Sequence, residues 1–154
     1  MSERQRNRRL CVVLAAYNEA GNVIPLLERI HLAVTAQQFS PRYVVIVQGD
    51  DGTKQQVESL RSRLGDLKVH YEKLPMGVGP AMRKGFSMIG PEDEWVLTMD
   101  ADLNHQPEEL HRFVAAIEEK EADFVVGSRY IREGRIEGMP MWKRLASTWM
   151  NRII

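Results

Sequence analysis

Residues 95–107, Trp-Val-Leu-Thr-Met-Asp-Ala-Asp-Leu-Asn-His-Gln-Pro, constrain the chain more than any other stretch. An apolar run of strand length stops on two aspartates one residue apart, Asp100 and Asp102. Pro107 then opens a helical pattern, where its missing N–H costs nothing because first-turn N–H groups have no intrahelical partner. The pattern predicts a buried strand that delivers two carboxylates at its carboxyl end, where open α/β sheets place their ligands. Two carboxylates that close repel each other unless a cation sits between them. Hard oxygen donors in a short turn suit Mg²⁺ or Mn²⁺, and such an ion keeps waters and takes a phosphate oxygen as a further ligand. Capping of the helix at Pro107 would account for one acidic residue, not for two at the mouth of a strand.

The rest of the chain supplies neighbours for that strand. Leu10–Ala16 and Tyr43–Val47 are short and continuously apolar, as central parallel strands are. Lys68–Tyr71 is a weaker third strand, the run ending at Asp100 a fourth, and Phe124–Val126 a fifth. Between them lie helical patterns. Val23, Ile24, Leu27, Ile30 and Val34 share one face, and Ser40-Pro41 breaks the chain after them. Thr53 and Gln56 fit a capping box opening a helix to about Leu64. Pro80 starts a helix through Met82, Phe86 and Ile89, and the helix from Pro107 carries Leu110, Phe113, Val114 and Ile117. Such alternation of strand and helix means right-handed crossovers and a mostly parallel sheet flanked by helices. Tyr17–Glu19, Gln48–Gly52, Gly77–Gly79, Asp100–Asn104 and Gly127–Tyr130 all follow strand ends, so one crevice collects carboxylates, exposed backbone N–H groups and an arginine. Those are the parts that hold a nucleotide diphosphate with a metal. No Gly-x-x-x-x-Gly-Lys-Ser/Thr stretch exists, and no Gly-x-Gly-x-x-Gly follows the first strand, which excludes the usual mononucleotide and dinucleotide loops.

With 154 residues the chain fits one domain. Lys plus Arg equals Asp plus Glu, and this zero net charge argues against a general nucleic-acid binder. The single cysteine, Cys11, lies in an apolar run and reads as a small buried side chain in a reducing compartment. No run reaches the length of a membrane span, and the N-terminus is not a signal peptide. Residues 1–9 form a basic lead-in with Arg4, Arg6, Arg8 and Arg9, and residues 10–140 form the domain proper. From Met141 onward Trp142, Leu145, Ala146, Trp149 and Ile153 share a helical face, with Lys143, Arg144 and Arg152 off it. That stretch reads either as a packing helix or as one lying at a membrane surface, and the chain is expected to continue beyond it.

Taken in order, Val12–Glu19, Asp51-Gly52-Thr53, Met76–Ala81 with Lys84-Gly85, Met99–Pro107 and Gly127-Ser-Arg129-Tyr130 resemble the family-two glycosyltransferases. They look most like the dolichol-phosphate mannose synthase branch, the polyprenyl-phosphate glycosyltransferases. The resemblance runs from about Leu10 to the end, and its force lies in five motifs in order. It implies an α/β fold of the GT-A type, Rossmann-like, that binds a nucleotide sugar. It implies an inverting enzyme that moves mannose or glucose from GDP-mannose or UDP-glucose to a polyprenyl or dolichyl phosphate. It sets Ala15, Tyr17, Glu19, Gln48, Asp51, Gly79 and Asp100-Ala101-Asp102 along the nucleotide sugar. Asp100 and Asp102, with Asn104 where a glutamine often stands, would hold Mg²⁺ or Mn²⁺. Arg129 would meet the acceptor phosphate, with Lys143, Arg144 and Ser147 as further ligands. A cytoplasmic setting, peripheral on the inner face of the membrane, follows as an expectation.

Two departures from the family pattern matter. Ala15 stands where proline is usual, and Gln48-Gly49-Asp50-Asp51-Gly52-Thr53 replaces the usual Asp-Asp-Gly-Ser in shortened form. Gln48 can both donate and accept hydrogen bonds to a base. Two rival expectations remain: a nucleotide-sugar-binding module without turnover, and a family-two enzyme whose acceptor is a saccharide hydroxyl. His105 reads as a capping or supporting group rather than a base.

Overall fold

Residues 8–120 and 122–127 are described in the computed structural model. The chain divides into two compact units at Val114, and the sheet with the loops around its carboxyl edge lies in the first. That unit alternates strands and helices: β1 Arg9–Tyr17, α1 Val23–Ala36, β2 Ser40–Gln48, α2 Thr53–Ser59, α3 Arg61–Leu64, β3 Leu67–Glu72, α4 Val78–Phe86 and β4 Trp95–Thr98. A single 3-10 turn, Pro107–Glu109, leads into α5, Leu110–Lys120. The four strands form one sheet in the order β3-β2-β1-β4, every pair parallel. Tyr17 pairs with Gln48 and Gln48 with Glu72, so β1, β2 and β3 end level at one edge, while β4 stops short of it with Thr98 opposite Val13.

The two central strands are apolar over Leu10–Ala16 and Tyr43–Val47 because both faces are covered there. Side chains alternate between faces along a strand. Val12, Leu14, Val45 and Val47 pack with Leu26, Leu27, Ile30 and Val34 of α1 on one side. Cys11, Val13, Val44 and Ile46 meet Ala81 of α4 on the other, with Met82 partly buried there. Burial pushes the Cys11 thiol up to about 11, helped by the neighbouring Asp93 carboxylate. Cys11 is therefore the inert core side chain expected of it.

At the amino-terminal end of the sheet sits a charge cluster. Arg42 is 3% exposed, yet it lies on a strand among apolar neighbours. Its guanidinium meets the buried Asp93 carboxylate at 2.5 Å and donates to the Met88 carbonyl at 3.1 Å. Arg9 adds a contact of 2.7 Å to Asp66. A buried arginine is tolerable only with such partners.

Several expected details differ. Ser40 and Pro41 do not break the chain but open β2; the reversal comes earlier, at Gln38, whose φ is 61°. Proline is tolerated at a strand's start because a missing ladder N–H matters least there. Arg9 belongs to β1 rather than to a solvated lead-in. The capping box does not form: Gly52 is the cap residue, and Asp51 accepts the Thr53 N–H instead. The helix expected to reach Leu64 is interrupted at Leu60 and continues as α3. In α4 the small residues Ala81 and Gly85 face the sheet, while Phe86 is half exposed. β4 is not fully buried; among the described residues it is the sheet's edge, with Val96 and Thr98 exposed. Phe124–Val126 carries no strand, and Phe124 and Val126 are exposed. No helix among the described residues is long and apolar enough to cross a membrane.

Candidate functional site

The strand order fixes where a ligand can sit. From β1 the chain steps outward to β2 and β3, then returns to the other side of β1 for β4. The crevice at such a reversal, beyond the strands' carboxyl ends, is the ligand site of open α/β sheets. Here it lies between the loop after Tyr17 and the loop containing Asp100 and Asp102.

The first loop is built by long-range hydrogen bonds. Asn18 has a φ of 54°, a left-handed conformation that asparagine tolerates better than most residues. Its N–H donates to the Gln48 carbonyl at 3.2 Å, and its Oδ1 accepts from the Asp50 N–H at 3.2 Å. Gly49 must be glycine: its φ is 93°, and a Cβ would come within 1.9 Å of Asn18 Oδ1. Asp51 accepts from the Ala20 N–H at 3.0 Å, the Thr53 N–H at 3.0 Å and the Thr53 hydroxyl at 2.6 Å. Thr53 Oγ1 in turn accepts from the Glu19 N–H at 2.8 Å. Partial desolvation pushes the Asp51 carboxyl up, but the hydrogen bonds from Thr53 and Ala20 outweigh it and hold the group below the usual aspartate range. Asp51 and Thr53 thus lock the β1–α1 turn to the start of α2.

A cavity of about 190 Å³ opens beside this turn, lined by Ala15, Tyr17, Gln48, Pro75, Gly77 and Val78. Ala15, Tyr17 and Gln48 therefore come together as expected. Gln48 Oε1 accepts from the Met76 N–H at 2.7 Å, which ties β2 to the glycine-rich turn before α4. Glu19, Asp51 and Gly79 do not line this cavity. The Glu19 carboxylate accepts from Asn22 Nδ2 at 2.6 Å, the Asp51 oxygens are engaged as above, and Gly79 lies exposed in the first turn of α4.

On the other flank, both expected carboxylates face solvent at the mouth of β4. The Asp100 side chain is 70% exposed, and its Oδ2 lies 3.2 Å from His105 Nε2. Asp102 accepts from the Asn104 N–H at 3.0 Å and from Asn104 Nδ2 at 2.6 Å. Desolvation raises the Asp102 carboxyl, and the two Asn104 hydrogen bonds, with the nearby His105, more than reverse this. Leu103, with a φ of 62°, makes the turn between them, and Ala101 is buried in the core beneath. The donor types suit a hard divalent cation: two exposed carboxylates and an amide. Among the described residues, however, no group of three or more His, Cys, Asp or Glu is arranged to hold a metal ion. As placed, the Asn104 amide nitrogen, not its oxygen, points at Asp102, so ligation by both would require that amide to turn.

One contact had no signal in the sequence. Arg29 of α1 grips Glu108 through two parallel hydrogen bonds, both 2.7 Å, and donates to Gln106 Oε1 at 2.6 Å. This fork holds the segment after Asp102 against α1, and its hydrogen bond keeps the Glu108 carboxyl below the usual range. Arg129, Lys143, Arg144 and Ser147, expected at an acceptor phosphate, lie outside the described residues.

Comparison with known proteins bears on the family and the fold. The profile of glycosyl transferase family 2 matches residues 11–152. A dolichol-phosphate mannosyltransferase of Pyrococcus furiosus is 30% identical over 141 residues, 90% of this chain and 38% of that protein. A polyprenol monophosphomannose synthase of Mycolicibacterium smegmatis is 31% identical over 90% of this chain and 51% of its own. The chain thus spans between about a third and a half of the relatives it matches. Among solved structures, residues 1–349 of S. aureus TarS in complex with UDP-GlcNAc superpose with a TM-score of 0.60 at 24% identity, covering 81% of this chain and 38% of that one. That likeness shows the GT-A fold.

Proposed function

The chain belongs to glycosyl transferase family 2, and from that premise we propose that it forms the donor-binding part of an inverting enzyme that transfers a hexose, mannose or glucose, from a nucleotide-diphosphate sugar to a polyprenyl or dolichyl phosphate. The observation that carries the proposal is the pairing, across the sheet's reversal point, of an apolar cavity at Tyr17 and Gln48 with the exposed carboxylates Asp100 and Asp102. The names of the relatives, a dolichol-phosphate mannosyltransferase and a polyprenol monophosphomannose synthase, support the acceptor class.

Roles follow from chemistry. The cavity takes the base, with Tyr17 as its exposed wall. A divalent cation, Mg²⁺ or Mn²⁺, held by Asp100, Asp102 and the Asn104 amide, would offset charge on the departing diphosphate. The acceptor is a phosphate monoester, whose second pKa is about 6, so its oxygen is already ionised at neutral pH and needs no strong general base. Positioning therefore matters more than proton transfer. Arg129 grips that phosphate with a planar, two-point contact that lysine cannot copy. A cytoplasmic location at the inner membrane face follows from a lipid acceptor and a soluble donor.

The test is transfer of labelled sugar from GDP-mannose and UDP-glucose into an organic-soluble product, with polyprenyl phosphate supplied in vesicles. Lipid-linked label that depends on the acceptor phosphate is the expected result. Label released only as free sugar, or moved to saccharide hydroxyls, would refute the proposed acceptor.

A further inference from the structure

We infer that Arg29 is a positioning residue of the proposed site: its fork on Gln106 and Glu108 sets how far the turn bearing Asp100 and Asp102 stands from residues 17–22 across the crevice. This role presupposes the nucleotide-sugar site proposed above and adds what fixes the spacing of its two walls.

Residues 99–105 are weakly anchored. Among them only Ala101 is buried, and Leu103 packs partly against the core. Their side-chain hydrogen bonds to described residues are internal: Asn104 donates to Asp102, and His105 Nε2 lies 3.2 Å from Asp100 Oδ2. Internal bonds keep the shape of a turn, not its place against the rest of the molecule. Placement comes from the far end. Pro107 is buried, and on either side of it Gln106 and Glu108 are gripped by Arg29. Nε and Nη2 of the one guanidinium meet the two Glu108 oxygens at 2.7 Å each, and Nη2 also meets Gln106 Oε1 at 2.6 Å. Such a planar two-point contact fixes direction as well as distance.

Arg29 is joined to the opposite wall by α1 itself. The Asn22 and Val23 N–H groups both donate to the Glu19 carbonyl at 2.9 Å, so the turn after β1 runs directly into the helix. From Val23 to Arg29 the helix rises about 9 Å at roughly 1.5 Å per residue. Leu26, Leu27 and Ile30, around Arg29 on α1, are fully buried in the core, which holds the helix in register on the sheet. β1 and β4 are themselves paired, from Leu10 with Trp95 to Val13 with Thr98. The chain thus closes a ring around the crevice: β1, residues 17–22, α1, the Arg29 fork, residues 99–106, β4 and back to β1. With the fork open, the wall that carries the two carboxylates loses its outer tether. Lysine keeps the charge of Arg29 but not its two-point grip.

Hydrogen exchange, and Mn²⁺ uptake in the presence of UDP or GDP, on the full chain and on Arg29→Lys, test this. The expected result is that amides of residues 101–106 exchange about threefold to tenfold faster in the variant, while those of β1 and β2 are unchanged. The Kd of Mn²⁺ with nucleotide present rises by a similar factor, and nucleotide alone binds as before. Reversing the pair, in Arg29→Glu/Glu108→Arg, brings both quantities back toward those of the unaltered chain, which a merely stabilising contact does not explain. Exchange that quickens evenly through every strand would overturn the role, and so would an Mn²⁺ affinity that Arg29→Lys leaves unchanged; either result leaves the nucleotide site standing. Failure of the unaltered chain to take up Mn²⁺ with either nucleotide would overturn both. Should Arg29→Lys not fold, Glu108→Gln opens the same fork and is read by the same two measurements.

Discussion

Gly85→Ala tests how closely α4 lies on the sheet. In isolation the change should help, because alanine is better than glycine in a helix by at most about 1 kcal/mol, and by less at a position such as Gly85, next to the last residue of α4. Packing opposes it. A Cβ on Gly85 would stand 2.5 Å from Val13 Cγ1 and 3.5 Å from Ile46 Cγ1. Carbon atoms prefer about 3.5–4.0 Å, so the Val13 contact overlaps by about 1 Å. Val13 is fully buried in a central strand, and a β-branched side chain is stiff at χ1, so it cannot turn aside. Overpacking of this kind costs about 1–3 kcal/mol. The clash wins, and the net loss is about 1 kcal/mol, or about 2–4 °C in Tm for a chain of this size. A double-mutant cycle with Val13→Ala separates the two terms. Removing Cγ1 should be markedly less damaging in the Gly85→Ala background, with a coupling of about 1–3 kcal/mol between the sites. The assay is urea unfolding by far-UV circular dichroism at constant slope. Additivity within about 0.5 kcal/mol, or a higher midpoint for Gly85→Ala alone, would refute the close approach of α4 to β1. Because Gly77 and Val78 at the start of α4 line the cavity, the same substitution should also weaken nucleotide binding.

Other perturbations follow from the same structure. Arg42→Ala strands the buried Asp93 carboxylate without its main partner, and should lower stability by about 3–5 kcal/mol in urea titrations. Asp51 and Asp102 both sit below the usual aspartate range. Their contribution is therefore complete above the unfolded value near 4 and is lost as pH falls through their lower folded values. Urea midpoints should decline on acidification below about pH 4, and Asp51→Asn should flatten part of that decline, by less than about 1 kcal/mol because the group is exposed.

How much of this was legible in the sequence depends on where the deciding contact lies. β1 and β2 could be read over Leu10–Ala16 and Tyr43–Val47 because burial on both faces leaves no polar position there to confuse the pattern. The Asp100–Pro107 segment could be read because strand end, acidic pair and helix start are consecutive. Errors arose where a nearer or smaller partner won. Thr53 and Gln56 have capping-box spacing, but Asp51, two residues before Thr53, takes its N–H first. On α4, large apolar residues suggested the buried face, yet Ala81 and Gly85 hold it, because close helix–sheet approach favours small side chains. β4 shows only half the burial its apolar run suggested, since one of its sides has no strand among the described residues. Contacts between distant residues left no local trace at all. Nothing near Arg29 announces Glu108, and nothing near Gly49 announces that Asn18 forbids a side chain there.

The most direct test of the account is Mn²⁺ binding followed by the loss of the free-ion paramagnetic signal, with and without the nucleotide diphosphate the cavity prefers. Uptake of one Mn²⁺ that requires the nucleotide, and that disappears in Asp100→Asn/Asp102→Asn while the fold stays intact, is the predicted result. Nucleotide binding that ignores both the ion and the two substitutions would contradict it.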